Sequence, residues 1–236
     1  MFPTGIYGRS KYRGYATFGL IVINALVFIG EFVVSLQGEE AFYNLLKAFA
    51  WDVCAVGNTN ILHLGISSLT SMFMHGSILH IGFNMFFLWL FGPKVEEYFG
   101  RGRYILFYLV AGFGATFAHT ILGGVTCSVV EPHGFALGAS GAIAGVMGAF
   151  LFLYPGAKIH AYWARLPIFP FRIPAFLYLG YWLMMDLFHA LGMLGSQGVA
   201  HWAHVGGFVS GFVIVFIATM FFKPAPKADP FAHLDD

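Results

Sequence analysis

Apolar residues gather in six runs, at approximately 16–34, 77–92, 104–122, 138–154, 173–191 and 202–222, parted by polar, Gly- or Pro-rich stretches. Each run predicts a helix, and a bilayer core about 30 Å thick needs roughly 20 such residues to cross it. Several runs are shorter, so tilt or ends buried in protein must make up the difference. The pattern predicts an all-α polytopic membrane protein: one six-helix transmembrane domain over residues 1–222, with a short N-terminal lead and no internal repeat. The Pro-broken, polar stretch 223–236 is expected to be disordered.

Composition sharpens the class. The 236 residues are 58% hydrophobic and only 10% charged, with mean hydropathy +0.75, whereas soluble domains carry about 25% charged residues. A net charge of +1 gives no electrostatic footprint for nucleic acid; the expected surroundings are the lipid bilayer. The first run is followed by Glu31 rather than a small-residue cleavage site, so it reads as a retained signal anchor.

Charge also orients the chain. With six spans, one face holds Arg9, Lys11, Arg13, Lys94, Arg101, Arg103, Lys158, Arg165, Arg172, Lys223 and Lys227, and only Lys47 is left on the other. By the positive-inside rule both termini are cytoplasmic, in what reads as a bacterial inner membrane. The long stretch from about 35 to 76 then lies outside. Its length and its aromatics, Trp51 among them, suggest function or interfacial packing. Cys54 in this stretch and Cys127 in the next outer loop are either a pair or two free thiols.

The fourth run carries the candidate chemistry: Gly138-Ala139-Ser140-Gly141, then Gly145 and Gly148, ending at Tyr154-Pro155. A helix from Ser140 to Tyr154 is about 22 Å long. Anchored at one interface, it leaves Ser140 roughly 8 Å inside the other. Small-xxx-small spacing alone means close helix packing. A hydroxyl at a helix N-terminus inside a membrane, where unpaired N–H groups and the helix dipole favour negative charge, asks for partners. No strand is expected before it, so the hydrolase nucleophile elbow does not apply.

Polar groups at comparable depth lie on two other runs. His80 and Asn84 are four apart and share a face of the second; that span is expected to end at Gly92-Pro93. His204 stands one turn above the Gly207-xxx-Gly211 face of the sixth. Counting residues leaves His204 about a turn shallower than Ser140, a difference that tilt would remove. Ionisable groups inside a membrane are functional candidates by default.

Together these segments resemble the rhomboid family of intramembrane serine proteases. His80-xxx-Asn84, Gly138-Ala139-Ser140-Gly141 and Ala203-His204-xx-Gly207-xxx-Gly211 match its motifs in order, from about residue 70 to 215. His75 and the Glu96-Glu97…Gly100-Arg101-Gly102-Arg103 turn resemble it too. The resemblance implies a Ser140–His204 dyad with no metal or organic cofactor. It also implies an oxyanion met by the Ser140 N–H, His80 and Asn84, and single-span or multi-span membrane proteins as substrates. Two positions depart from the pattern. Ala144 stands where many members place an aromatic residue against the histidine, leaving Trp202 or Phe208 to pack it, and His201 stands where tryptophan is common.

Asp186, about 20 Å up the fifth span, reads most simply as a polar residue near a helix end beside His189. Its functional reading is a gate or an orienting partner for a histidine. A competing reading of the whole chain is a non-hydrolytic, His-rich protein that binds haem or a transition metal. His63, His75, His80, His119, His133, His189, His201 and His204 all fall toward the outer side, and imidazole is a common ligand. Few acids accompany them within the membrane: Glu31 and Asp186.

Overall fold

The structure is a computed structural model that describes residues 2–6, 13–124, 127, 134–163, 166–195 and 198–222. The stretch expected to be disordered, 223–236, lies outside the described residues, as do Arg9, Lys11, His133 and Arg165. In chain order the elements are β1 (Phe2–Ile6), α1 (Tyr15–Ser35), α2 (Glu39–Phe49), β2 (Trp51–Asp52), α3 (Ile61–Ser71), α4 (Ile78–Phe99) and α5 (Arg101–Leu122). Then follow β3 (Phe135–Ala136), α6 (Ser140–Leu153), β4 (Lys158–Trp163), β5 (Leu166–Pro174), α7 (Ala175–Ala190) and α8 (His201–Phe221). The fold is a helical membrane bundle, and α1, α4, α5 and α8 are each long and apolar enough to cross a bilayer.

Helix α6 is the axis of the bundle. Its 14 residues reach about 21 Å, and every residue from Gly141 to Phe150 is buried. A helix apolar on all sides is covered either by protein or by lipid, and here α4, α5 and α8 pack around it. Glycines let them come close. A methyl group added at Gly207 or Gly211 of α8 would collide with the carbonyl oxygen of Gly141 or Gly145, and one at Gly148 with that of Phe208. A methyl group at Gly145 would come within 2.5 Å of the Ala111 side chain of α5. The small-xxx-small stripes of the fourth and sixth runs therefore face each other backbone to backbone.

Helix α1 is built the other way round from a soluble helix. Its lipid-side residues Phe18, Leu26, Ile29 and Phe32 are more than half exposed, while Thr17, Asn24 and Glu31 are buried. Those three are seven residues apart and so lie along one stripe. Each polar group inside a membrane needs a partner within the protein. Thr17 donates its N–H (2.7 Å) and its hydroxyl (2.8 Å) to Glu96, which also accepts the Ala16 N–H (3.0 Å). Glu96 thereby caps α1, whose own N-cap residue, Gly14, offers no side chain. At the other end the Glu31 carboxylate accepts the His75 N–H at 3.0 Å.

This cap corrects one boundary. The second span does not stop at Gly92-Pro93 but continues as α4 to Phe99, turning into α5 at Gly100, whose φ of 75° suits glycine alone. A proline inside a membrane helix is tolerated when neighbours satisfy the freed groups. Continuation past Pro93 is what carries Glu96 to the start of α1.

The connections hold more structure than the sequence predicted. The long stretch from about 35 to 76 contains α2 and α3, and β2 pairs with β3 just before Ser140, where no strand was expected. Asp52 accepts the Gly134 N–H at 2.9 Å, and Cys54 and Cys127 form a disulfide, which settles the open question of their state. At the opposite end β4 and β5 form an antiparallel hairpin joined by β1 in a three-stranded sheet of order β1-β4-β5. The basic residues of that end meet aromatic rings there: Arg101 over Tyr15, Arg103 over Phe222 and Lys94 over Tyr154. Lys47 sits over Tyr43 of α2.

Candidate active site

Ser140 is the first residue of α6, and no side chain caps that end; the N-cap residue is Ala139. The first-turn N–H groups of a helix have no intrahelical acceptors, so they gather positive potential at the serine. Ala139 is fully buried, and before it Gly138 holds φ 127°, a backbone that side-chain-bearing residues avoid. Gly138 is also where the chain passes closest to His80. A methyl group there would lie 2.7 Å from the ring of His80 and 3.7 Å from the Ser140 hydroxyl. The Gly138 N–H is tied to the Ser71 carbonyl at 2.8 Å, and the β2–β3 pair fixes the segment just ahead.

The glycine seam aligns α8 with this end of α6. Ser140 precedes Gly141, and His204 lies one turn before Gly207, whose backbone contacts Gly141. The Ser140 hydroxyl consequently meets His204 Nε2 at 2.8 Å. The one-turn mismatch obtained by counting residues disappears because the seam, rather than the ends of the helices, sets the register.

His204 Nδ1 faces Asp186 of α7, at 3.2 Å from Oδ2 and 3.3 Å from Oδ1. His201 Nδ1 meets Oδ1 of the same carboxylate at 2.5 Å. Asp186 is only 8% exposed. The simple reading of it as an isolated polar residue beside His189 does not describe this arrangement: His189 instead stacks on His201, centroids 4.7 Å apart. The ring against His204 is likewise not Trp202 or Phe208. It is Trp182, also of α7, with centroids 5.8 Å apart, and Phe208 stacks behind Trp182 at 6.2 Å. Trp182 was missed because it lies in a run with no catalytic motif. Its spacing, four residues before Asp186, was the available signal, since i and i+4 share a face.

On α4, Ser77 caps the helix by accepting the His80 N–H at 3.1 Å. The His75 ring stands edge-on to His80 at 5.0 Å. Asn84 is 7% exposed, and its amide nitrogen has no acceptor among the described residues. A buried, unpaired donor of this kind is costly unless something arrives to accept from it. Behind Ser140, a small cavity of about 40 Å³ is lined by Gly138, Gly141, Ala203 and His119 of α5. His119 was known from the sequence only as one of many histidines.

Asp186, His201 and His204 place their ligand atoms within 4.8 Å of one another, so the site holds a donor set that a divalent ion could use. The Gly141, Gly207 and Gly211 positions serve the seam and present no polar side chain to the site.

Residues 64–221 match the rhomboid domain. The chain is 41% identical over 142 residues to the rhomboid protease GluP of Bacillus subtilis, covering 60% of this chain and 25% of that protein. It is 32% identical over 152 residues to RHOMBOID-like protein 6, mitochondrial, of Arabidopsis thaliana (64% and 43%). It is also 31% identical over 195 residues to the mouse presenilin-associated rhomboid-like protein, mitochondrial (82% and 46%). It spans less than half the length of each of these three relatives. A bundle of membrane helices with a serine–histidine contact at the head of its central helix is the class of protein; the chain belongs to the rhomboid family.

Proposed function

We propose that this chain is an intramembrane serine endopeptidase that cuts peptide bonds in or near the transmembrane helices of other membrane proteins. The observation that carries the reading is the 2.8 Å contact between Ser140 Oγ and His204 Nε2 inside an apolar bundle. GluP, the relative at 41% identity, is named a protease, and the likeness extends that activity to this chain. A serine hydroxyl is a weak nucleophile until a base takes its proton. His204 Nε2 accepts the Ser140 proton as Oγ bonds to the scissile carbonyl carbon. It then returns the proton to the departing amine as the C–N bond breaks. Water repeats the cycle on the acyl-enzyme, with His204 again the base.

The developing oxyanion is met by the Ser140 N–H, the unpaired amide of Asn84 and the His80 ring. Such donors are worth more in a low-dielectric site than in water. A helical peptide bond is shielded and its carbonyl is already hydrogen-bonded, so small or helix-breaking residues near the outer end of the substrate helix mark the cleavage zone. We assign six spans, α1, α4, α5, α6, α7 and α8, with both termini cytoplasmic. The partition of basic residues supports this orientation, and the likeness to a Bacillus protein supports a bacterial cell membrane.

The test is cleavage of a model single-span substrate by purified protein in liposomes. Wild type is expected to cut and to be labelled by a fluorophosphonate, while Ser140→Ala and His204→Ala do neither. Asn84→Ala is expected to lose about tenfold to a hundredfold in kcat. Equal cleavage by all the variants overturns the assignment. The metal-binding reading has one observation in its favour, the cluster of Asp186, His201 and His204. It predicts that a chelator changes the protein's behaviour, whereas the protease reading predicts cleavage unaffected by EDTA.

A further inference from the structure

We infer that Asp186 is a positioning residue for His204, and that His201 is the clamp holding its carboxylate in place. The serine and histidine thus become the first two members of a line that runs Ser140, His204, Asp186, His201 across α6, α8 and α7. The inference rests on the protease reading above and extends it to the residues behind the base.

Chemistry dictates the need. A neutral imidazole carries one N–H, and the base works only if that proton is on Nδ1, leaving the Nε2 lone pair toward Ser140. A carboxylate accepts and never donates, so Asp186 at 3.2 Å from Nδ1 selects that tautomer. A second effect comes when His204 takes the serine proton and becomes a cation. A cation within a membrane bundle is costly to form without a counter-charge. Asp186 supplies one in contact, and the proton stays on His204 throughout.

The clamp follows from burial. A carboxylate that is 8% exposed must have its lone pairs satisfied. His204 brings a single N–H, shared almost evenly between the two oxygens at 3.2 and 3.3 Å, which leaves lone pairs to fill. His201, one turn earlier on α8, donates Nδ1–H to Oδ1 at 2.5 Å and is itself held by stacking on His189. His189 is fixed in turn by an Nδ1 contact with the Gly195 carbonyl at 2.8 Å. Two imidazoles on successive turns of α8 therefore grip one carboxylate of α7.

A merely structural tie between α7 and α8 uses the same atoms, and charge separates the two. Asp186→Asn keeps the shape and the acceptor for His201 but removes the charge; Asp186→Glu keeps the charge. For a positioning residue, Asp186→Asn loses about tenfold to a hundredfold in kcat with KM within about twofold. Fluorophosphonate labelling slows in parallel, and Asp186→Glu recovers most of the loss. His201→Ala loses about tenfold, again in kcat, and serves as the second variant should Asp186→Asn fail to fold. Three results overturn the inference: Asp186→Asn or His201→Ala with wild-type kcat, Asn and Glu variants equally impaired through KM, or wild-type cleavage abolished by EDTA, which makes the three groups metal ligands. Wild type that neither cuts nor takes the label brings down the protease reading itself, a result distinct from wild type that does both while Asp186→Asn matches it.

Discussion

Helices α6 and α8 meet backbone to backbone, whereas α7 reaches the same site through side chains. The contrast is clearest at glycines. Methyl groups at Gly207 and Gly211 would strike carbonyl oxygens of α6, while one at Gly180 of α7 would meet nothing within 4 Å. Helix α7 buries only Ala175, Tyr178, Leu179 and Asp186. Ser140 and His204 therefore ride on a seam of direct main-chain contacts, and the groups that face His204, Asp186 and Trp182, on a helix with few buried residues. The lesson is a division of labour. The seam fixes where Ser140 and His204 are, and on the protease reading α7 sets how well His204 works.

The seam is broken most severely by Gly211→Ala. The added carbon has only main chain to push against, so stability should fall by about 3 kcal/mol or more and cleavage by at least about a hundredfold. Detergent-unfolding midpoints and turnover on the same samples check both, and near-normal values for both refute the rigid seam. Next is Trp182→Ala, expected to lower kcat about tenfold while leaving stability within about 2 kcal/mol; Trp182→Phe should stay within about threefold. A loss of fold rather than rate would show that α7 is held more tightly than its buried residues indicate.

Opening the outer cross-link by Cys54→Ser with Cys127→Ser should cost about 2–4 kcal/mol of stability. Turnover should change by less than about threefold, because Asp52 and the β2–β3 pair still hold the segment ahead of Gly138. Thermal melts with and without reductant, read beside a cleavage assay, test it. The smallest effect is expected from Gly180→Ala. With open space around it and higher helix propensity, the variant should gain up to about 1 kcal/mol and cut as wild type does. A destabilised Gly180→Ala protein would remove the contrast with the seam.

Much of this was readable from the residues because membrane insertion leaves few solutions. Each apolar run contains a helix in the structure, four of them long and apolar enough to cross a bilayer, the glycine stripes face each other, and Ser140 meets His204 while Gly138 meets His80. The readings that changed share a cause: each depended on a contact between segments distant in sequence. Pro93 resembles a helix end until Glu96 is seen capping α1 from eighty residues away. Asp186 resembles a stray polar residue until α7 turns it toward α8. The strand before Ser140 is two residues long and exists only because Trp51 and Asp52 come alongside. Trp182 packs against His204 from α7, a helix no motif points to.

The stripe of Thr17, Asn24 and Glu31 has a practical consequence. Residues 64–221, the portion that matches the rhomboid domain, exclude α1 altogether. A protein trimmed to those limits would strand the Glu96 carboxylate in apolar surroundings with its three donors gone, and would leave the His75 amide without an acceptor just upstream of His80. The smallest unit that keeps these contacts is therefore larger than the region by which its kinship is recognised, and efforts to shorten the chain should leave α1 in place.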